Sequence, residues 1–110
     1  MIDHSKEIIK GKLIQYAIAL DDRSWNLLDD IFHEDAVATY GNKDIDFVIE
    51  SKSRADILRM CKDSLGGCGT TQHLLGNFRI NIQSAEATSK CYVRAYHVGL
   101  EPNANEFYEM

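Results

Sequence analysis

Two periods of hydrophobic spacing divide this chain, a helical one near its start and a strand-like one towards its end. Ile9, Leu13, Tyr16, Ala17 and Leu20 recur three and four residues apart, with Lys6, Glu7, Lys10 and Lys12 on the other side. The pattern predicts an amphipathic helix over residues 3–20. It closes at Asp21-Asp22, where Asp22 can cap a second helix whose buried stripe is Trp25, Leu28, Ile31 and Phe32. Helices joined this tightly form a hairpin or an L-shaped corner. The apolar periodicity turns Asp21 inward at that junction. A carboxylate there needs a hydrogen-bonding or charged partner, because burying it unpaired costs several kcal/mol or raises its pKa.

The middle of the chain alternates between short elements. His33-Glu34-Asp35 reads as a polar turn with a solvated histidine, and residues 36–41 read as a short strand carrying Tyr40 near its end. Ile45, Phe47 and Ile49 alternate with polar neighbours, which fits a second short strand or an ordered loop. Ser53 with Asp56 three residues on resembles a capping box, and Ile57, Cys61 and Leu65 form the stripe of the helix it opens. Gly66-Gly67 stops that helix. The glycine-rich run that follows has no lysine after it and no strand before it, so it reads as a flexible connection rather than a phosphate cradle.

Two long strands come next, residues 71–83 and 87–100, joined closely enough for a hairpin. In the second, Cys91, Val93, Ala95 and His97 share one face, which puts His97 on the core side; Lys90, Tyr92, Arg94 and Tyr96 share the other. In the first, strict alternation would put His73 with Asn77, Arg79 and Asn81 on the polar face. A bulge near Gly76-Asn77 would reverse the register and turn His73 inward. Past Pro102, a polar turn over 103–106 leads to a further strand starting at Phe107.

Composition narrows the partners. At 110 residues the chain reads as one domain, 1–110, with 45% hydrophobic residues and a formal charge of -5. That acidic balance argues against nucleic acid or an anionic membrane, both of which need a basic face. No apolar run approaches the ~20 residues of a membrane span. The N-terminus lacks the hydrophobic core of a signal peptide, so the expected location is the cytoplasm. Cys61, Cys68 and Cys91 make an odd count without a Cys-x-x-Cys pair, against a disulfide framework or a structural zinc site.

The segments Tyr16-Ala17-Ile18-Ala19-Leu20-Asp21-Asp22-Arg23-Ser24-Trp25, Asp35-Ala36-Val37-Ala38-Thr39-Tyr40, Thr71-Gln72-His73-Leu74-Leu75-Gly76-Asn77 and Tyr92-Val93-Arg94-Ala95-Tyr96-His97 carry a resemblance. Together they resemble the SnoaL-like branch of the nuclear-transport-factor-like superfamily, which includes scytalone dehydratase, bile-acid dehydratases and polyketide cyclases. The resemblance implies an α+β fold in which a cone-shaped, curved antiparallel sheet wraps around the N-terminal helices and encloses a deep apolar pocket. It also implies catalysis without metal or organic cofactor on a small hydrophobic molecule. By the same resemblance Asp21 pairs with His73, Tyr40 polarises a substrate carbonyl, and His97 acts near a departing hydroxyl. Tyr16, Trp25 and Asn77 are candidates for substrate contact, although aromatic residues at helical spacing are more often plain core.

The set also makes chemical sense by itself. Removing water from a β-hydroxy carbonyl compound needs a base for a carbon-bound proton, an acid for the hydroxyl and a donor for the enolate oxygen. A histidine can be base and acid in turn. Two departures stand against the family pattern. Leu20 occupies the position of a second carbonyl-polarising tyrosine, and the sequence stops at Met110, before the last strands of the family. The chain is then shortened, completed by a partner chain, or open at one edge, and an open edge invites a homo-oligomer. The alternative function is a non-catalytic small-molecule-binding or assembly domain, like the small subunits of ring-hydroxylating dioxygenases.

Overall fold

The computed structural model describes residues 3–42, 44, 46–99 and 107–109. The turn expected over 103–106 and the strand contribution expected of Ile45 lie outside the described residues. Helix α1, Ser5–Asp22, carries the first apolar stripe. At about 100° per residue, Tyr16, Ala17, Leu20 and Asp21 fall within one arc of roughly 140°, and α1 packs against the long strand β3 (Cys68–Gln83), which Asp21 reaches. The flank bearing Lys12, Gln15 and Ala19 faces the second helix. Lys12 Nζ donates to the Asp30 carbonyl at 3.4 Å, and Gln15 Nε2 donates to that of Leu27 at 3.3 Å.

That second helix, α2, is a single turn, Asn26–Asp29. Asp22 does not cap it. Asp22 belongs to the last turn of α1, and the N-cap position of α2 is Trp25, without a side-chain bond. The reason is the sharp exit from α1. Arg23 adopts a left-handed conformation, φ 59° and ψ 30°. The Ser24 N–H then reaches the Ala19 carbonyl at 2.9 Å and the Arg23 N–H reaches that of Leu20 at 3.3 Å. This is a Schellman end, which satisfies the terminal carbonyls without an aspartate. Leu28 still turns inward and is fully buried.

Strands β1, Ala38–Asn42, and β2, Phe47–Ser51, form an antiparallel hairpin in which Tyr40 pairs with Ile49. Gly41 has φ 139°, and a Cβ there would run into the backbone of Phe47, so the strand requires glycine beside Tyr40. Helix α3, Arg54–Leu65, begins as expected: the Ser53 hydroxyl accepts from the Asp56 N–H at 3.1 Å. Ile57, Cys61 and Leu65 are buried and join Leu20 in the core, with Tyr16, Trp25, Phe32, Ala36, Ala38 and Met60 packed against them.

The remaining sheet has the order β3-β4-β5, all antiparallel, with β4 spanning Glu86–Gly99 and β5 spanning Phe107–Glu109. The glycine-rich run is not a loop: β3 begins at Cys68, and Gly69 and Thr70 lie within it. Two residues, Ser84 and Ala85, close the β3–β4 hairpin. The register shifts between Gly76 and Arg79, and Asn77 sits there at φ 51°. This is the bulge that the alternation required. Before it the odd residues Thr71, His73 and Leu75 are the shielded ones; after it Phe78, Ile80 and Ile82 are.

Candidate active site

The last turn of α1 and the first half of β3 bring together an acid and a base from residues fifty-two positions apart. Asp21 Oδ1 lies 2.6 Å from His73 Nδ1, and Asp21 Oδ2 accepts the backbone N–H of His73 at 3.0 Å. The carboxylate therefore grips the same residue at two points, which fixes the ring as well as the chain. A carboxylate can only accept, so it holds the imidazole proton on Nδ1 and leaves Nε2 with its lone pair. The pair is shielded but not sealed: the side chains are 23% and 11% exposed for Asp21 and His73.

A third donor completes the carboxylate. Thr71, two residues before His73 on the same strand face, places its Oγ1 3.1 Å from Asp21 Oδ1 and donates to it. Arg23 donates to that hydroxyl from Nη1 at 2.9 Å. The same guanidinium reaches the Leu20 carbonyl at 2.6 Å and the Gly69 carbonyl at 2.7 Å. Arg23 and Thr71 were not foreseen from the sequence. The available signal was an arginine just past a helix end, where cationic side chains cap carbonyls, and a threonine in phase with His73.

On β4, His97 is buried and lies across from Thr71 in the ladder. Its ring stands edge-on to that of His73, with centroids 5.3 Å apart and planes at 87°. Asp21, His73 and His97 form one cluster.

Tyr40 is held elsewhere on the same framework. Its hydroxyl lies 3.0 Å from that of Tyr16. Tyr16 is five residues before Asp21 on α1, about 7.5 Å of helix rise. Burial raises the pKa of both phenols above the ordinary tyrosine value; for Tyr16 the neighbouring Tyr40 adds to it, whereas for Tyr40 the hydrogen bond from Tyr16 works in the opposite direction. Burial likewise raises the Cys61 thiol beside them. All three stay protonated at neutral pH, so the phenols are donors. Of the other candidates, Trp25 packs against the core cluster. Asn77 is exposed and forms the bulge, where its contribution is its backbone conformation. Among the described residues no cluster of His, Cys, Asp and Glu has the arrangement of a metal site.

The fold and this cluster define a protein class. The chain belongs to the SnoaL-like domain family, whose model matches residues 4–110. Three solved structures share its fold. The Kfla4162 protein of Kribbella flavida superposes with a TM-score of 0.75 at 19% identity, over 86% of this chain and 64% of that one. A candidate aromatic ring hydroxylase from Novosphingobium aromaticivorans gives a TM-score of 0.67 at 23% identity, over 90% of this chain and 69% of that one. The beta subunit of the benzoate 1,2-dioxygenase of Burkholderia mallei gives 0.52 at 19% identity, over 94% and 85%. The chain thus spans about two thirds of the length of the first two. Among curated proteins none matches it significantly. The fold is the nuclear-transport-factor-like α+β arrangement, with N-terminal helices, two hairpins and two long strands. No helix among the described residues is long and apolar enough to cross a membrane.

Proposed function

We propose that this chain is a cofactor-independent lyase or isomerase of the dehydratase and cyclase type, acting on a small apolar cyclic carbonyl compound. The observation that carries the reading is the 2.6 Å contact between Asp21 and His73 Nδ1, which leaves Nε2 as the free base. In this reading Nε2 of His73 removes the proton next to the carbonyl, and the electron pair moves onto the carbonyl oxygen as an enolate. Tyr40, kept protonated by burial, donates to that oxygen; one such donor is worth on the order of 3 kcal/mol in the transition state. The enolate then expels the β-hydroxyl, which leaves as water with a proton from His73 or from His97 beside it. Asp21 stabilises the imidazolium formed in between. Tyr16 and Trp25 are proposed to shape the substrate side of the site, and Asn77 to adjoin it. The reading takes residues 1–110 as one cytoplasmic domain that assembles with copies of itself and uses neither metal, nucleic acid nor membrane.

Asp21→Asn and His73→Ala are each expected to lower turnover of a β-hydroxy ketone by on the order of 10²-fold or more with the melting temperature retained. Full activity in either variant would sink the assignment.

A second reading is favoured by Leu20, which is 5% exposed and packed in the core where the family pattern has a tyrosine. It is favoured also by the likeness to a dioxygenase beta subunit. In it the domain binds an apolar molecule or assembles with a partner and turns nothing over. Apolar ketones that raise the melting temperature without being converted, equally in wild type and His73→Ala, would select it.

A further inference from the structure

Arg23 occupies a position where a side chain is costly. It is the residue just past α1, in the left-handed conformation that glycine adopts freely and other residues adopt at a cost. A strained residue that persists beside a candidate site invites the question of what its side chain does there. Both terminal nitrogens of its guanidinium are engaged. Nη1 meets the Leu20 carbonyl, the Asp21 carbonyl and Thr71 Oγ1, and Nη2 meets the Gly69 carbonyl. One planar group therefore bridges the end of the element carrying Asp21 and the beginning of the element carrying His73.

The polarity of this chain of bonds runs one way. Arginine has only donors, so Thr71 must accept from it and direct its own proton at Asp21. Asp21 then faces the Thr71 hydroxyl and the His73 ring N–H at Oδ1, and the His73 backbone N–H at Oδ2. The carboxylate is thereby fixed as the acceptor for the ring N–H at Nδ1.

We propose that Arg23, acting through Thr71, is the positioning residue that holds Asp21 as the acceptor for His73 and so keeps His73 in the Nδ1–H tautomer with Nε2 free. The inference rests on the acid–base reading of the pair, yet its consequence is visible without substrate. In the whole chain, nitrogen-15 NMR of the imidazole rings at a pH where His73 is neutral distinguishes the two tautomers. Wild type is expected to show Nδ1–H alone. Arg23→Gly keeps and relaxes the helix end while removing the guanidinium, and is expected to shift the tautomer ratio at least roughly tenfold towards Nε2–H, as suits the loss of a charge-assisted hydrogen bond. Arg23→Lys, which can restore a donor but not the fork, is expected to fall between. Thr71→Val cuts the relay and leaves the helix end untouched; it should reproduce the Arg23→Gly shift, and it decides the matter if Arg23→Gly does not fold. An unchanged tautomer in the folded variants would overturn the proposal and leave Arg23 as a helix cap. If wild type converts no carbonyl compound but the tautomer still shifts, the acid–base reading fails and the positioning role stands.

Discussion

At the scale of single residues, the buried trio of Tyr16, Tyr40 and Cys61 ties chemistry to stability. Each has a pKa raised above its ordinary value, 10.0 for the phenols and 9.0 for the thiol, with desolvation as the leading cause. Between the unfolded and folded values the unfolded chain holds fewer protons, so stability falls as pH rises. Their contribution is complete below about pH 9 and declines above it. Urea denaturation from pH 7 to 11 should show a plateau and then a loss, less steep in Tyr16→Phe. A variant curve parallel to wild type at high pH would remove Tyr16 from the account. Helix periodicity turned Asp21 inward, but strict alternation put His73 on the polar face, so the Asp21–His73 pair was legible only through the family resemblance and the bulge it required. Arg23 and Thr71 were not. The role of Arg23 depends on a left-handed backbone that composition does not announce, and on a strand forty-six positions away to receive its side chain.

At the scale of elements, the bulge decides which way the dyad faces. Asn77 at φ 51° lets the strand change phase between His73 and Ile80. Asparagine tolerates this conformation and a β-branched residue does not. Asn77→Val should lower stability by on the order of 1–2 kcal/mol, whereas Asn77→Gly should be neutral or slightly stabilising. Equal melting temperatures for the two would show that the left-handed conformation is not needed there. The helices α1 and α3 and the hairpin closed by Ser84-Ala85 were readable from spacing, caps and turn length. Two elements were misjudged for physical reasons. The second helix shrank to one turn because the exit from α1 consumed its capping residue. The glycine run became strand because Gly69 offers its carbonyl to Arg23 and its neighbours pair with β4.

At the scale of the whole molecule, the long hairpin sets the outline. The radius of gyration is 15.3 Å, against about 13 Å for a compact chain of this length. The outer face of the sheet exposes Leu74, Tyr92 and Tyr96 by 55%, 68% and 39%. With the homo-oligomer proposed above, sedimentation should give a mass above 12.5 kDa, and Leu74→Glu with Tyr92→Glu should lower it towards one chain. A monomeric wild type would refute that assembly. The bulge has a consequence for relatives of this chain as well. A deletion of one residue at position 77 would leave a regular strand with both the histidine and the isoleucines still facing inward. Within the regular stretches of the hairpin a single deletion would turn one group outward. Among homologous chains, a one-residue gap is therefore structurally silent at this point, and the spacing from the histidine to the next apolar residue can be odd or even without moving the site.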